Sequence, residues 1–444
     1  MNPKSNHEMS PFALTREWIQ SVAEQVRARL SRDDLNLRRL RRQGFEAAAL
    51  DADVLAQHNR SYSLELPTGA VRNQEESGRC WLFAPVVLAR TSALRDERIG
   101  VNESFSENYL YFFNLLEQAS ATLDDLHRIA GRERTLRAST LRRRVLSEVI
   151  GLGDGGEWEW AFALIEKYGL VPARYMPETA SSKRTKTLAV ELHECFACAA
   201  RAIHEKPERF QVTRNQLLRD VTHVLVAHLG CPPRLVTARR RKVSPTEYAT
   251  QLIGFRPSEW RVVISNPLLP FDRVYQRRGS AITSNAPAFN LRRLNVSQRR
   301  FRDLVRASLA GGYAVGCSAD VDRNDIDHRR GIMHPAIFNR AHVYSKQIVR
   351  DLPRYQDIYL GIASSKHAMV IAGIDDGGRN GSPPTKYKVV NSWGSELGDQ
   401  GVYHMYSAWF EENVFKLAVH ESVLNAKERV AYRRPMPVPG GSFY

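Results

Sequence analysis

The chain has 444 residues, of which 43% are hydrophobic and 25% charged, a balance that excludes a disordered polymer and leaves room for two or three domains with a sizeable core. Lys and Arg number 64 against 48 Asp and Glu, and the formal charge of +16 favours polyanions as non-specific partners while deciding nothing about the fold. No run approaches the roughly eighteen apolar residues of a membrane span, the start resembles no signal peptide, and five cysteines (Cys80, Cys195, Cys198, Cys231 and Cys317) are too few and odd in number for a secreted disulfide framework. The expectation is a cytoplasmic protein without a membrane partner.

Residues 11–50 read as helical, with Trp18, Ile19, Val22 and Val26 roughly on one face, and residues 1–59 are taken as an N-terminal arm. Tyr62 to Pro67 alternates like a short strand before a Pro-Thr-Gly turn. A polar loop then passes abruptly into an apolar run at Cys80, which places that cysteine at a helix start; Pro85 would remove one hydrogen bond from this helix and is tolerated near a first turn. Phe105 to Leu126 is apolar and helical. Arg132 to Ile150 repeats apolar residues at helical spacing, with Arg137 and Arg142 to Arg144 on the remaining face. Trp158 to Tyr168 is a further amphipathic helix, entered through glycine-rich 151–156 and closed at Gly169.

Residues 183–230 look mainly helical, and 253–345 mixed, with strands at Val262 to Ser265 and Tyr313 to Ser318 and a helix at Ser297 to Leu309. Toward the end, Ala368 to Ile374, Tyr387 to Val390 and Gly401 to Tyr406 read as strands. The Pro- and Gly-rich 433–444 reads as an extended tail. The expected divisions are the arm 1–59, a helical half 60–180, an inserted mainly helical and mixed subdomain 181–345, a β-rich half 346–432 and the tail 433–444.

A thiol is poorly ionised at neutral pH, and a helix N-terminus with a nearby imidazolium lowers its pKa to about 3 to 4. Cys80 is placed for the first influence. His367, at the start of one strand, and Asn391, at the end of the next, are candidates for the imidazole and for the group that fixes its ring.

Ser77-Gly78-Arg79-Cys80-Trp81 resembles the nucleophile signature of papain-like cysteine peptidases. Gln74 falls where that family carries its oxyanion-hole glutamine, Asn391-Ser392-Trp393-Gly394 is similar to its asparagine motif, and Lys366-His367-Ala368-Met369 resembles its histidine strand. Phe105-Ser106-Glu107 and the paired Gly155-Gly156 are further echoes. Ser77 stands where secreted papains carry a disulfide cysteine, and His367 follows Cys80 by 287 residues, against about 130 to 150 in papain-type enzymes. With Asp154 to Trp158 (Asp-Gly-Gly-Glu-Trp) and Glu166 to Pro172, these departures resemble the bleomycin hydrolase/aminopeptidase C family, over residues 60–432.

The resemblance implies an α+β papain-like fold, with a helical half carrying the nucleophile, a β-rich half carrying His and Asn, a large insertion and an extended C-terminal tail. It implies Cys80, His367 and Asn391 as the catalytic triad, Gln74 and the Cys80 backbone N–H as the oxyanion hole, and Gly155, Gly156, Trp393 and Tyr444 as substrate-binding residues. The implied activity is removal of N-terminal residues from peptides, extending to amide drugs or thiolactones, with neither metal nor cofactor. A homohexamer is implied, with the tail in the cleft selecting substrates that have a free amino terminus. A basic, nucleic-acid-binding homologue with weak or lost peptidase activity is the alternative.

Three other patterns carry less. Cys195 and Cys198 beside His193 have metal or redox spacing but sit in a helical run without a second ligand pair. Asp320-Val-Asp322-Arg-Asn324 begins like a calcium loop, yet Asp325 stands where glycine is required. His223 and His228 are five apart on a helix and face different ways.

Overall fold

The structure is a computed structural model. It describes residues 14–29, 35–132, 153–277, 291–322, 325–344, 354–362, 364–377, 384–439 and 443, with side chains 29, 124–132, 204 and 207 left aside. The helix expected through 132–150 and the candidate contact Tyr444 lie outside the described residues.

The chain forms two compact units, Met1–Asn59 with Pro335–Asp351, and Arg60–His334 with Leu352–Tyr444. In the first, helices Arg16–Arg29, Leu35–Gln43, Phe45–Ala49 and Ala52–Gln57 follow one another, and Asp51 caps the last by accepting from the N–H groups of Asp53 and Val54. Residues 335–344 return to this arm: the Asp51 N–H donates to Ile337 O at 2.9 Å, and Phe45 packs edge-on against Phe338 at 6.0 Å. Arg38, Arg39, Arg41 and Arg42 are exposed on a helix that buries none of its residues, a solvated face.

The second unit is built on a 12-stranded sheet. Its strands are β1 (Leu64–Glu65), β2 (Trp260–Ile264), β3 (Arg273–Arg277), β4 (Leu291–Asn295), β5 (Val315–Ala319), β6 (Ile326–Asp327), β7 (Ile332–Met333), β8 (His367–Asp375), β9 (Lys386–Val390), β10 (Val402–Tyr406), β11 (Val414–His420) and β12 (Met436–Pro437). They pair in the order β12-β3-β4-β2-β11-β5-β8-β9-β10-β7-β6, with β1 alongside β8. The principal helices are α1 (Cys80–Arg95), α2 (Glu107–Arg132), α3 (Trp158–Tyr168), α4 (Lys186–Glu205), α5 (Phe210–Leu229) and α6 (Gln298–Ala310).

Strand periodicity divides the core in two. Ala368, Val370 and Ala372 of β8 face a cluster with Cys80, Trp81, Phe105 and Trp158, whereas Met369 and Ile371 face one with Phe301, Leu304 and Cys317. Pro85 is buried inside α1, which runs unbroken to Arg95.

Within residues 181–345 the helical part is the α4–α5 pair, and the mixed part carries α6 and, from Trp260 onward, feeds β2 to β7 into the same sheet as β8 to β11. β3 and β4 escape a reading by hydropathy because they carry Arg273, Arg277, Arg292 and Arg293, the last of them fully buried among carboxylates.

Candidate active site

Cys80 opens α1, so the partial positive charge of the helix N-terminus falls on its sulfur. The turn before it is pinned from several sides. Arg79, itself fully buried, donates to Glu178 at 2.6 and 3.2 Å and to Ser77 Oγ at 3.0 Å. The Gly78 N–H donates to Asp154 Oδ2 at 2.6 Å, and a Cβ at Gly78 would lie 2.4 Å from Asp154 Oδ1, so any side chain there would displace the carboxylate. Trp81 Nε1 donates to the Asp154 carbonyl at 2.7 Å.

The candidate oxyanion loop and the asparagine motif form one ladder. The Gln74 N–H donates to Ser392 O at 2.8 Å, Ser392 Oγ to Gln74 Oε1 at 2.6 Å, and the Gly394 N–H to Arg72 O at 3.2 Å. Gly394 adopts φ +78°, and a Cβ there would meet Asn73 at 2.9 Å. Gln74 Nε2 spends one N–H on Ser77 O at 2.5 Å, and an amide nitrogen has a second N–H to donate. Arg72 holds the loop to the first residue of α2 by donating to Glu107 at 2.8 and 3.3 Å. Glu107, read from the sequence as a weak motif echo, is thus the buried anchor of this loop.

β8 carries His367 to the same place. Its Nε2 lies 2.7 Å from Asn391 Oδ1, which also accepts the Ser392 N–H at 2.7 Å, and the Trp393 ring stacks on the imidazole at 4.5 Å. With Nε2 engaged by Asn391, Nδ1 is the nitrogen left for proton exchange. Cys80 is brought beside this strand, where the N–H of the next residue, Ala368, reaches its sulfur.

Burial pushes the Cys80 thiol up and the Asp154 carboxylate adds to the rise, while the N–H groups of Ala368 and Trp81 oppose it. Burial likewise carries the His367 imidazole down to about 4, against the Asn391 hydrogen bond, which raises it, and with His328 lowering it further. The sequence argument anticipated a depressed thiol pKa. The site instead favours the neutral form of each group taken singly.

Gly155 faces open space, whereas a Cβ on Gly156 would lie 2.4 Å from the Trp81 ring. Beyond them Glu157 holds Lys416 at 2.7 Å and Arg293 at 2.9 Å. Burial alone would raise the Glu157 carboxyl, but the Lys416 and Arg293 charges overcome it and hold it at about 2. Phe443 of the tail reaches this cluster: β12 runs parallel to β3, Asn266 Nδ2 donates to Phe443 O at 2.7 Å, and the buried Phe443 ring covers the Arg293 guanidinium at 4.4 Å.

The sequence-predicted Cys80, Gln74, His367, Asn391 and Trp393 therefore share one site, with Gly155 and Gly156 beside it across Trp81. The roles of the Asp154 carboxylate and of Glu178 were missed. An acid flanked by a glycine pair, with a second glycine before the nucleophile, could have pointed to Asp154, whereas nothing in the spacing marks Glu178. Of the lesser candidates, Cys195 is half-buried and Cys198 exposed on α4, Lys366 pairs with Asp320 and Asp322, and His228 bonds Ser181 and Glu191.

Known proteins share this plan. The model of the peptidase C1-like family matches residues 13–438. The chain is 27% identical to Aminopeptidase W of Lactobacillus delbrueckii subsp. lactis over 445 residues, 95% of each chain. It is 25% identical to Aminopeptidase C of the same organism over 394 residues, 84% of each. The crystal structure of PepW from Lactobacillus rhamnosis HN001 has the same fold, with a TM-score of 0.84 at 24% identity, covering 97% of this chain and 98% of that one.

Proposed function

This chain belongs to the peptidase C1-like family, and on that premise we propose that it is a cysteine aminopeptidase working through Cys80, His367 and Asn391. The observation that carries the reading is the lock of His367 Nε2 on Asn391 Oδ1 beneath Trp393, beside a cysteine at a helix N-terminus.

Cys80 Sγ, having passed its proton to His367, attacks the carbonyl carbon of the scissile amide. The oxyanion takes the free Gln74 N–H and the Cys80 backbone N–H, and loss of one such donor costs on the order of 100-fold or more. His367 returns the proton to the leaving amine, and water then releases the acyl group from the sulfur. Asn391 holds the ring throughout.

Peptides with a free amino terminus are the proposed substrates, with amide drugs or thiolactones as further ones. The family resemblance, the names of the relatives and the seating of Phe443 on Arg293 support a tail that closes the acyl side of the cleft. A homohexamer and a reducing, cytoplasmic setting belong to the same proposal, the latter supported by five unpaired cysteines. Aminoacyl fluorogenic amides, each free and N-acetylated, provide the test. Thiol-dependent hydrolysis of the free series, absent in Cys80→Ala, is expected; hydrolysis no faster than that of the variant across the panel would end the reading.

A further inference from the structure

The segment just before Gly155 makes contacts that neither the triad nor the oxyanion hole requires. Asp154 Oδ2 accepts twice, from the Gly78 N–H and from Thr185 Oγ1, each at 2.6 Å, while its own carbonyl accepts from Trp81 Nε1 at 2.7 Å. Gly78 lies two residues before the nucleophile and Trp81 one after it. Gly156, two residues past Asp154, is pressed against the Trp81 ring so closely that no Cβ fits.

We infer that Asp154 is a positioning residue, one that ties the turn carrying Cys80 to the glycines over which the substrate backbone lies and so fixes the distance between nucleophile and acyl group. This rests on the peptidase reading of the same site. All five cysteines are unpaired, so the turn has no covalent clamp and the carboxylate supplies a hydrogen-bonded one.

The tie has an electrostatic cost. The Asp154 charge opposes formation of the Cys80 thiolate. Asp154 on the loop is the charged group acting on the thiol, and His367 of β8 directly precedes Ala368, whose N–H reaches the sulfur; Tyr111 of α2 interacts with Asp154 and carries the Arg79 guanidinium 5.2 Å from its ring, with Arg79 in turn paired to Glu178. A group whose charge impedes the nucleophile is retained for its geometry.

Two variants separate the two effects. Asp154→Ala removes both acceptor oxygens, and kcat for a free aminoacyl amide falls about 100-fold, the scale of a misplacement near 1 Å. Asp154→Asn keeps one acceptor oxygen and loses the charge, so its kcat falls less than about tenfold, the size of one weakened hydrogen bond. Removing a negative charge eases thiolate formation, so in Asp154→Asn the midpoint for iodoacetamide alkylation of the Cys80 peptide, read by mass spectrometry, moves down by roughly half a pH unit or more. Equal losses in both variants, wild-type kcat in Asp154→Ala, or an alkylation midpoint that stays or rises in Asp154→Asn would overturn the inference. Alkylation needs no substrate and Asp154→Asn preserves the packing, so a wrong substrate class or an unfolded Asp154→Ala leaves a decisive measurement.

Discussion

Replacing Asn391 by alanine removes the acceptor that holds His367 Nε2 at 2.7 Å. A hydrogen bond to a charged partner is worth about 1.5–3 kcal/mol, and about 1.4 kcal/mol is tenfold in rate, which brackets the loss in kcat/KM at roughly 10- to 150-fold. The Trp393 ring remains stacked on the imidazole and preserves its plane, so the expected loss lies in the lower part of that bracket, about 10- to 50-fold. The pH profile moves as well. Asn391 raises the His367 pKa, so its removal lets the imidazolium lose its proton at lower pH, and the basic limb of kcat/KM shifts downward. Stability should also fall, by about 1–3 kcal/mol, because the buried His367 Nε2 and Ser392 N–H lose the acceptor they share. Initial rates with a fluorogenic aminoacyl amide from pH 4 to 10, with thermal melts alongside, measure all three. A loss below about threefold with an unmoved or rising basic limb would refute the assignment of Asn391 as the group that holds the ring.

Glu178→Ala strands the fully buried Arg79 charge and should destabilise the protein by about 3–5 kcal/mol in urea unfolding, with Arg79→Met/Glu178→Leu recovering most of the loss. Phe443→Ala uncovers Arg293 and should raise hydrolysis of N-acetylated relative to free amides by about tenfold, the worth of one good aromatic contact; an unchanged ratio would count against tail gating.

The legible elements were those whose apolar pattern was uninterrupted. Trp158–Tyr168 was bounded correctly because its amphipathic stripe lies between a glycine-rich entry and Gly169, which takes φ +77° at the C-terminus. β8 and β9 likewise announce themselves, being buried on nearly every residue. Val414–His420 was passed over because Lys416 interrupts its apolar run, although that lysine is buried through its pairing with Glu157. Hydropathy reads a charge as exposed, and here Arg79, Arg293 and Lys416 lie inside because distant carboxylates accompany them. The site divides in the same way. Cys80, His367 and Asn391 belong to recognisable local strings, whereas Arg72–Glu107 and Gly78–Asp154 are links between strings and leave no local pattern.

The rungs joining Arg72 and Gln74 to Ser392 and Gly394 also bear on the order in which the protein is made. The loop that carries Gln74 leaves the ribosome well before Ser392 and Gly394, the rungs that join it from more than three hundred residues away. Domains form from the N-terminal side as synthesis proceeds, so the nucleophile helix and the Arg72–Glu107 anchor can exist on a nascent chain long before Ser392 joins Gln74 or Asn391 joins His367. A chain interrupted between Cys80 and Gly394 would carry the thiol without the rungs that hold its neighbouring loop to the asparagine motif.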